Sequence, residues 1–180
     1  LEHMEKDITV EVNRLTQTIY ELAGHPFNIN STQQLAVILF DELELPVQKK
    51  TKTGRSTDSS VLEKLSGTHP IIQEIMSYRE LEKLNSTYVK SLPLLVSPFT
   101  HRIHTSFNQT VAVTGRLSST APNLQNIPIR SENGLKVREA FIATSDEYEL
   151  LSADYSQIEL RLMAHLSEDE HMISAFNRGE

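Results

Sequence analysis

Through the first 91 residues apolar side chains recur every third or fourth position, and at Pro93 that rhythm stops. A period near 3.6 places such residues on one helix face, whereas strands repeat every second residue, so the change divides the chain into two architectures. Ile8, Val12, Leu15, Ile19 and Leu22 predict a helix over 5–23, which Gly24 stops and Pro26 keeps from resuming. Ser31 reads as the N-cap of a second helix reaching Leu43, with Leu35, Ile38 and Leu39 turned inward. From Pro46 to Thr57 the chain is polar and basic and holds Gly54, which predicts an exposed loop. Thr57 or Ser56 then caps a short helix carrying Val61, Leu62 and Leu65. Pro70 suits a first helical turn, and Ile71, Ile75, Tyr78, Leu81, Leu84 and Tyr88 predict a long helix over 70–91. The stripe holding Tyr78 and Tyr88 reads as core rather than as a platform for stacking bases.

Beyond Pro93 and Pro98, residues 102–107 and 110–114 have strand composition, with Asn108-Gln109 as the turn between them. A short helix is predicted near 132–138, then strands at 140–143 and 149–153 joined at Ser145-Asp146-Glu147, then helices at about 157–166 and 168–177. Helices followed by strands imply an α+β chain. The run Leu150-Leu151-Ser152-Ala153 ends on Asp154, so a buried strand is expected to deliver that carboxylate at its tip. Ile158, Leu162 and His165 then resume a helical spacing. A carboxylate at such a junction suits Mg²⁺, which is held by one or two carboxylates together with substrate phosphates. Spacing alone leaves open a solvated Asp at a turn.

Length allows one ordinary domain or two small ones, and 38% hydrophobic with 23% charged residues fits a globular chain. No apolar run approaches the roughly 20 residues of a membrane span. With no cysteine, disulfides, thiolate metal sites and Cys nucleophiles are excluded together, which is compatible with a reducing cytoplasm. Leu1-Glu2-His3 ahead of Met4 reads as a cloning remnant, and residues 1–4 are set aside. A net charge of −7 argues against nucleic acid, but its distribution argues for it. Lys49, Lys50, Lys52 and Arg55 fall within seven residues free of acids, and Arg102, Arg116, Arg130, Lys136 and Arg138 face the single acid Glu132. Local basic surface, not the sum, neutralises phosphates and releases counterions. His101 and His104 alternate along a predicted strand, yet no further ligand cluster accompanies them, so a structural or DNA-proximal role is expected.

The octapeptide Asp154-Tyr155-Ser156-Gln157-Ile158-Glu159-Leu160-Arg161 resembles, residue for residue, the metal-binding motif of the family A DNA polymerases, the bacterial DNA polymerase I group. Gly115-Arg116-Leu117-Ser118-Ser119 and Pro122-Asn123-Leu124-Gln125-Asn126-Ile127-Pro128-Ile129-Arg130 are similar to the stretch of that family that tracks the primer–template duplex. Lys52-Thr53-Gly54-Arg55-Ser56-Thr57 resembles the tip of its thumb, and His25-Pro26-Phe27-Asn28-Ile29-Asn30-Ser31 the thumb's start.

The resemblance implies a helical thumb region over 5–92 and the first part of a palm over 93–180, with the fingers and the rest of the palm lacking. It implies a DNA-templated DNA polymerase that uses two Mg²⁺ ions, primer–template DNA and deoxynucleoside triphosphates, as a cytoplasmic monomer, here an incomplete catalytic unit. Asp154 would bridge both metals and the Tyr155 carbonyl would join one of them. Tyr155, Ser156, Gln157 and Glu159 would surround the incoming nucleotide, with Glu159 disfavouring a 2′-hydroxyl. Arg161 would either brace the site or meet substrate. Arg116 would read minor-groove acceptors shared by all base pairs, which checks geometry without reading sequence. Asn123, Gln125, Asn126 and Arg130 would touch sugars, phosphates and groove edges. Lys49, Lys50, Lys52, Thr53, Arg55, Ser56 and Thr57 would contact phosphates from the thumb loop. Two other readings stand beside this one. The chain alone could serve as a duplex-binding module without catalysis, and a metal nuclease would need a third acid that the motif lacks.

Overall fold

The helical rhythm of the first half is realised nearly throughout. The computed structural model describes residues 1–51, 54–129 and 131–179, so Lys52, Thr53, Arg130 and Glu180 lie outside the described residues. It divides into two units, 1–141 and 142–180.

In the first unit α1 (Glu2–Ala23) buries Ile8, Leu15 and Ile19 and packs along α4 (Pro70–Leu84). It starts at Glu2, within the segment set aside as a remnant, because Leu1 and Met4 pack on the core. Gly24 ends it in the left-handed conformation, φ 85°, a region glycine enters at no steric cost. α2 (Thr32–Val37) is capped as expected, the Ser31 side chain accepting from the Gln34 amide. It then widens into a π-turn, Ile38–Glu42, which places the consecutive residues Ile38, Leu39 and Phe40 in the core. α3 (Ser59–Lys64) is capped by Asp58, not by Thr57 or Ser56. α4 buries Ile71, Ile72, Ile75, Tyr78, Leu81 and Leu84. The predicted single helix over 70–91 is broken, because Asn85–Val89 forms a second π-turn before the short α5 (Ser91–Leu94).

The strand expectations fare differently. The polar loop carries a two-residue hairpin, β1 (Lys50–Thr51) against β2 (Gly54–Arg55). Further on, β3 (Ser106–Asn108) pairs antiparallel with β4 (Ser118–Thr120), Phe107 opposite Ser119. The predicted partner 110–114 forms no strand: Val111 and Val113 face solvent, and an alternating pattern needs a surface to lie on. His101 is likewise in a tight turn rather than a strand, with φ 56° and its amide bonded to the Ser97 carbonyl at 2.9 Å. α6 (Glu132–Glu139) is capped by Ser131 and buries Gly134 and Val137.

The second unit contains α7 (Ile158–Ser167) and α8 (Glu170–Arg178), near their predicted bounds. The strands at 140–143 and 149–153 are not formed, although the turn between them is, with the Tyr148 amide on the Ser145 carbonyl at 3.0 Å. A strand exists only through pairing, and Leu150 and Leu151 are exposed by 68% and 93%. On α7, Ile158 and Leu162 are exposed and Ala164 is the buried position.

Candidate nucleic-acid interface and metal-binding turn

The thumb-like loop is a hairpin fastened at both ends. Arg55 donates to both oxygens of Asp41, at 2.6 and 2.5 Å, and its guanidinium lies 5.4 Å from the Phe40 ring centre. The bidentate pair raises Arg55 and lowers Asp41 from their ordinary pKa values. Lys49 pairs with Asp58 at 2.9 Å. Asp58 is a hub, for its carboxylate also accepts from the hydroxyls of Ser56 and Ser60 and from the Val61 amide. These donors, Lys49 first, hold it well below the usual carboxylate range.

Two expectations are corrected here. Ser56 and Thr57 are buried, so neither hydroxyl is presented to a phosphate. Ser56 is engaged with Asp58, and Thr57 receives Arg79 at its carbonyl and at its hydroxyl oxygen, the latter at 3.2 Å. Burial, partly opposed by Asp58, moves Arg79 below its ordinary pKa. Of the basic residues described in the loop, Lys50 is exposed and has no ion-pair partner among the described residues. Beside the hairpin opens a cleft of ≈ 690 Å³, lined by Thr32, Gln33, Arg55, Thr57 and Arg79 among others.

The second basic stretch is a loop fixed from beneath. Gly115 adopts φ 75° and turns the chain so that Arg116 is exposed. Ser119, 1% exposed, donates to the Asn123 side-chain oxygen at 3.2 Å and accepts the Leu124 amide at 3.0 Å. The same Asn123 oxygen accepts the Gln125 amide at 3.0 Å, so its acceptor end shapes the turn rather than facing DNA. Thr105 donates to the carbonyls of Thr120 and Pro122, at 3.1 and 2.7 Å. Leu124 and Ile127 pack on the core, and the buried Tyr88 hydroxyl donates to the Asn126 carbonyl. Gln125 and Asn126 keep their side chains exposed. The far end is pinned by a close approach: a Cβ on Gly134 would come within 2.6 Å of Pro128 Cβ and 2.8 Å of its carbonyl oxygen.

In the second unit Asp154 ends an irregular exposed segment and precedes a turn at Ser156-Gln157, with Gln157 at φ 52°. Tyr155 and Glu159 are exposed as well. Arg161 braces this turn: its Nε donates to the Ser156 carbonyl at 2.9 Å while its guanidinium stacks 4.7 Å from the Phe176 ring centre. Among the described residues no group of three or more His, Asp or Glu side chains converges as a metal site. That includes His101 and His104, the latter bonded to the Thr100 hydroxyl at 2.7 Å.

The profile of DNA polymerase family A matches residues 1–180. The chain belongs to that family. DNA polymerase I of Geobacillus stearothermophilus is 54% identical over 99% of the chain, and the thermostable DNA polymerase I of Thermus thermophilus is 53% identical over all of it. The chain spans 20% and 22% of their lengths. Among solved structures, the POL domain of Pol1 from M. smegmatis, in complex with DNA primer-template and dNTP, superposes with a TM-score of 0.89 at 45% identity. That match covers 99% of the chain and 32% of the Pol1 chain. Among the described residues of this family member, no helix is long and apolar enough to cross a membrane.

Sequence reading missed Asp41, Asp58, Arg79 and Gly134. Asp41 and Asp58 carried a usable signal, since each is an acid flanking a basic loop. Gly134 inside a predicted helix was another, because an interior glycine weakens a helix unless close packing requires it.

Proposed function

We propose that this chain supplies the thumb and the first part of the palm of a DNA-templated DNA polymerase, which adds deoxynucleotides to a primer 3′-hydroxyl. The observation that carries the reading is the unbroken likeness, at more than half identity, to proteins named DNA polymerase I. In this reading the working enzyme is a cytoplasmic monomer engaged in replication and repair. Lys50 meets backbone phosphate from the hairpin while Arg55 and Lys49 hold the hairpin's shape. Lys52, Thr53 and Arg130 keep the phosphate and groove contacts their motif positions imply. Arg116, Gln125, Asn126 and the amide nitrogen of Asn123 face the minor groove near the primer end.

Asp154 and the carbonyl of Tyr155 are hard oxygen donors on an exposed turn, a donor set that fits Mg²⁺ completed by nucleotide phosphates. Asp154 and Tyr155 would hold the ion. When bound, two such ions stabilise charge on the attacking and leaving oxygens of an in-line displacement. Around it, Ser156, Gln157 and Glu159 shape the nucleotide's place, with Glu159 set against a 2′-hydroxyl, and Arg161 keeps the turn in register.

For the 180-residue chain taken alone, a second reading has its own support. It spans about a fifth of its relatives' length, and no three ligating side chains converge among its described residues. In that reading it binds duplex DNA without sequence preference and does not extend primers. Primer extension beside a DNA titration separates the two. Templated incorporation abolished by Asp154→Ala establishes catalysis by the chain itself, while salt-dependent binding without incorporation assigns it the module role. Arg116→Ala in the complete polymerase tests the checking role. A charge-assisted hydrogen bond contributes about 1.5–3 kcal/mol, so matched extension should slow roughly 10- to 100-fold and mismatch discrimination should fall.

A further inference from the structure

The stretch 122–129 has no sheet or helix to hold it, yet its exposed amides are held in place from the opposite side. Tyr88 reaches it from the π-turn Asn85–Val89, across 38 residues of sequence. The residue is 4% exposed and lies in the core, while its hydroxyl donates to the main-chain carbonyl of Asn126. Of the flanking residues, Leu124 is held by apolar contact and by its amide on the Ser119 hydroxyl, while Ile127 packs on the core by apolar contact, which resists separation but not rotation. A hydrogen bond to the carbonyl between them fixes the orientation of that peptide. With that peptide plane held, the backbone from which the exposed Asn126 side chain springs is restrained.

We propose that Tyr88 is a positioning residue for DNA recognition, its hydroxyl setting the Asn126 peptide so that the side-chain amides of Gln125 and Asn126 are presented in register to duplex DNA. This deepens the polymerase reading and rests on it for the identity of the ligand. Tyr88 touches no nucleic acid in this scheme and acts wholly through the Asn126 peptide that it orients. The stripe that contains it serves as core and as support together.

The test uses Tyr88→Phe, which removes one oxygen and leaves the packing and charge untouched. Amide hydrogen exchange of the DNA-free chain should quicken several-fold across 123–127 and stay unchanged along α1 and α4. Affinity for a primer–template duplex should fall roughly 2- to 10-fold, the equivalent of one ordinary hydrogen bond, at unchanged salt slope. A double-mutant cycle separates positioning from general weakening. In a Gln125→Ala/Asn126→Ala background, Tyr88→Phe should cost nothing further, whereas additive losses overturn the proposal. Equal affinities of wild type and Tyr88→Phe overturn it too, as does unaltered exchange at 123–127. Failure of the wild type to bind duplex DNA at all refutes the polymerase reading instead, a distinct result.

Discussion

Gly134→Ala sets two opposed effects against each other, and the structure says which prevails. Within a helix, alanine is favoured over glycine by about 1 kcal/mol because it loses less backbone entropy. Gly134 does not sit at positive φ, so nothing in its own backbone opposes the change. The obstacle is Pro128, whose Cβ, carbonyl oxygen and carbonyl carbon would lie 2.6, 2.8 and 3.0 Å from the new methyl. All three belong to a rigid ring or to the main chain, so relief requires moving α6 or the 126–129 backbone. Overpacking of this kind costs about 1–3 kcal/mol, and the rigidity of the obstacle puts it toward the upper end. The net expectation is destabilisation by about 1–2 kcal/mol, a fall in thermal midpoint of roughly 2–8 °C. Helical circular dichroism followed against temperature measures it. A higher midpoint, the result of relieving an unobstructed glycine, would refute the close approach and with it the pinning of the 122–129 stretch.

Other consequences are equally accessible. Lys50→Ala should flatten the log–log salt dependence of DNA binding by about 0.9, whereas Arg55→Ala should lower the thermal midpoint and change the slope little, because Arg55 is bound to Asp41; matched slope changes in both variants would return Arg55 to the phosphate contacts. Ser31→Ala should cost about 1 kcal/mol in urea unfolding, the usual loss of an N-cap bond such as that to the Gln34 amide. His25 presents both ring nitrogens to acceptors, the Pro26 carbonyl at 3.1 Å and Glu42 at 2.9 Å, which raises its pKa above 6.5. Its contribution is therefore complete below pH 6.5 and lost as pH rises through the raised value, so the midpoint gap between wild type and His25→Ala should close across that interval; a gap that widens with pH would contradict the charged pair.

What the sequence disclosed follows from which interactions are local. Helix periods, the Ser31 cap and the Gly24 stop depend on neighbours within a turn, and each was legible. Both π-turns were not, because Ile38–Glu42 and Asn85–Val89 answer to packing between elements rather than to spacing along one. Strands failed for the same reason. The alternation at 110–114 looked like a hairpin partner, yet β3 chose Ser118–Thr120, where the buried Ser119 satisfies its hydroxyl through Asn123 and Leu124. At the candidate site, Lys50, Arg116, Gln125 and Asn126, singled out by motif position, are all exposed. Motif positions could not reveal that Ser56 and Thr57 face inward, since a hydroxyl beside a basic loop reads alike whether it meets phosphate or Asp58. Nor could they pick out Tyr88's hydroxyl, whose partner lies 38 residues away.

The segment 142–180 carries the octapeptide Asp154–Arg161 on 39 residues with one buried side chain, Ala164, among those described. So little burial leaves almost no free energy of its own to resist local opening, which ranges from near zero in such segments to the global value in a core. A protease offered the folded chain should therefore cut first around the exposed Leu150 and Leu151 and leave the helical body of 1–141 standing. The turn that carries Asp154 is thus easily opened ground, and any fixed order it takes on must come from what binds there rather than from its own packing.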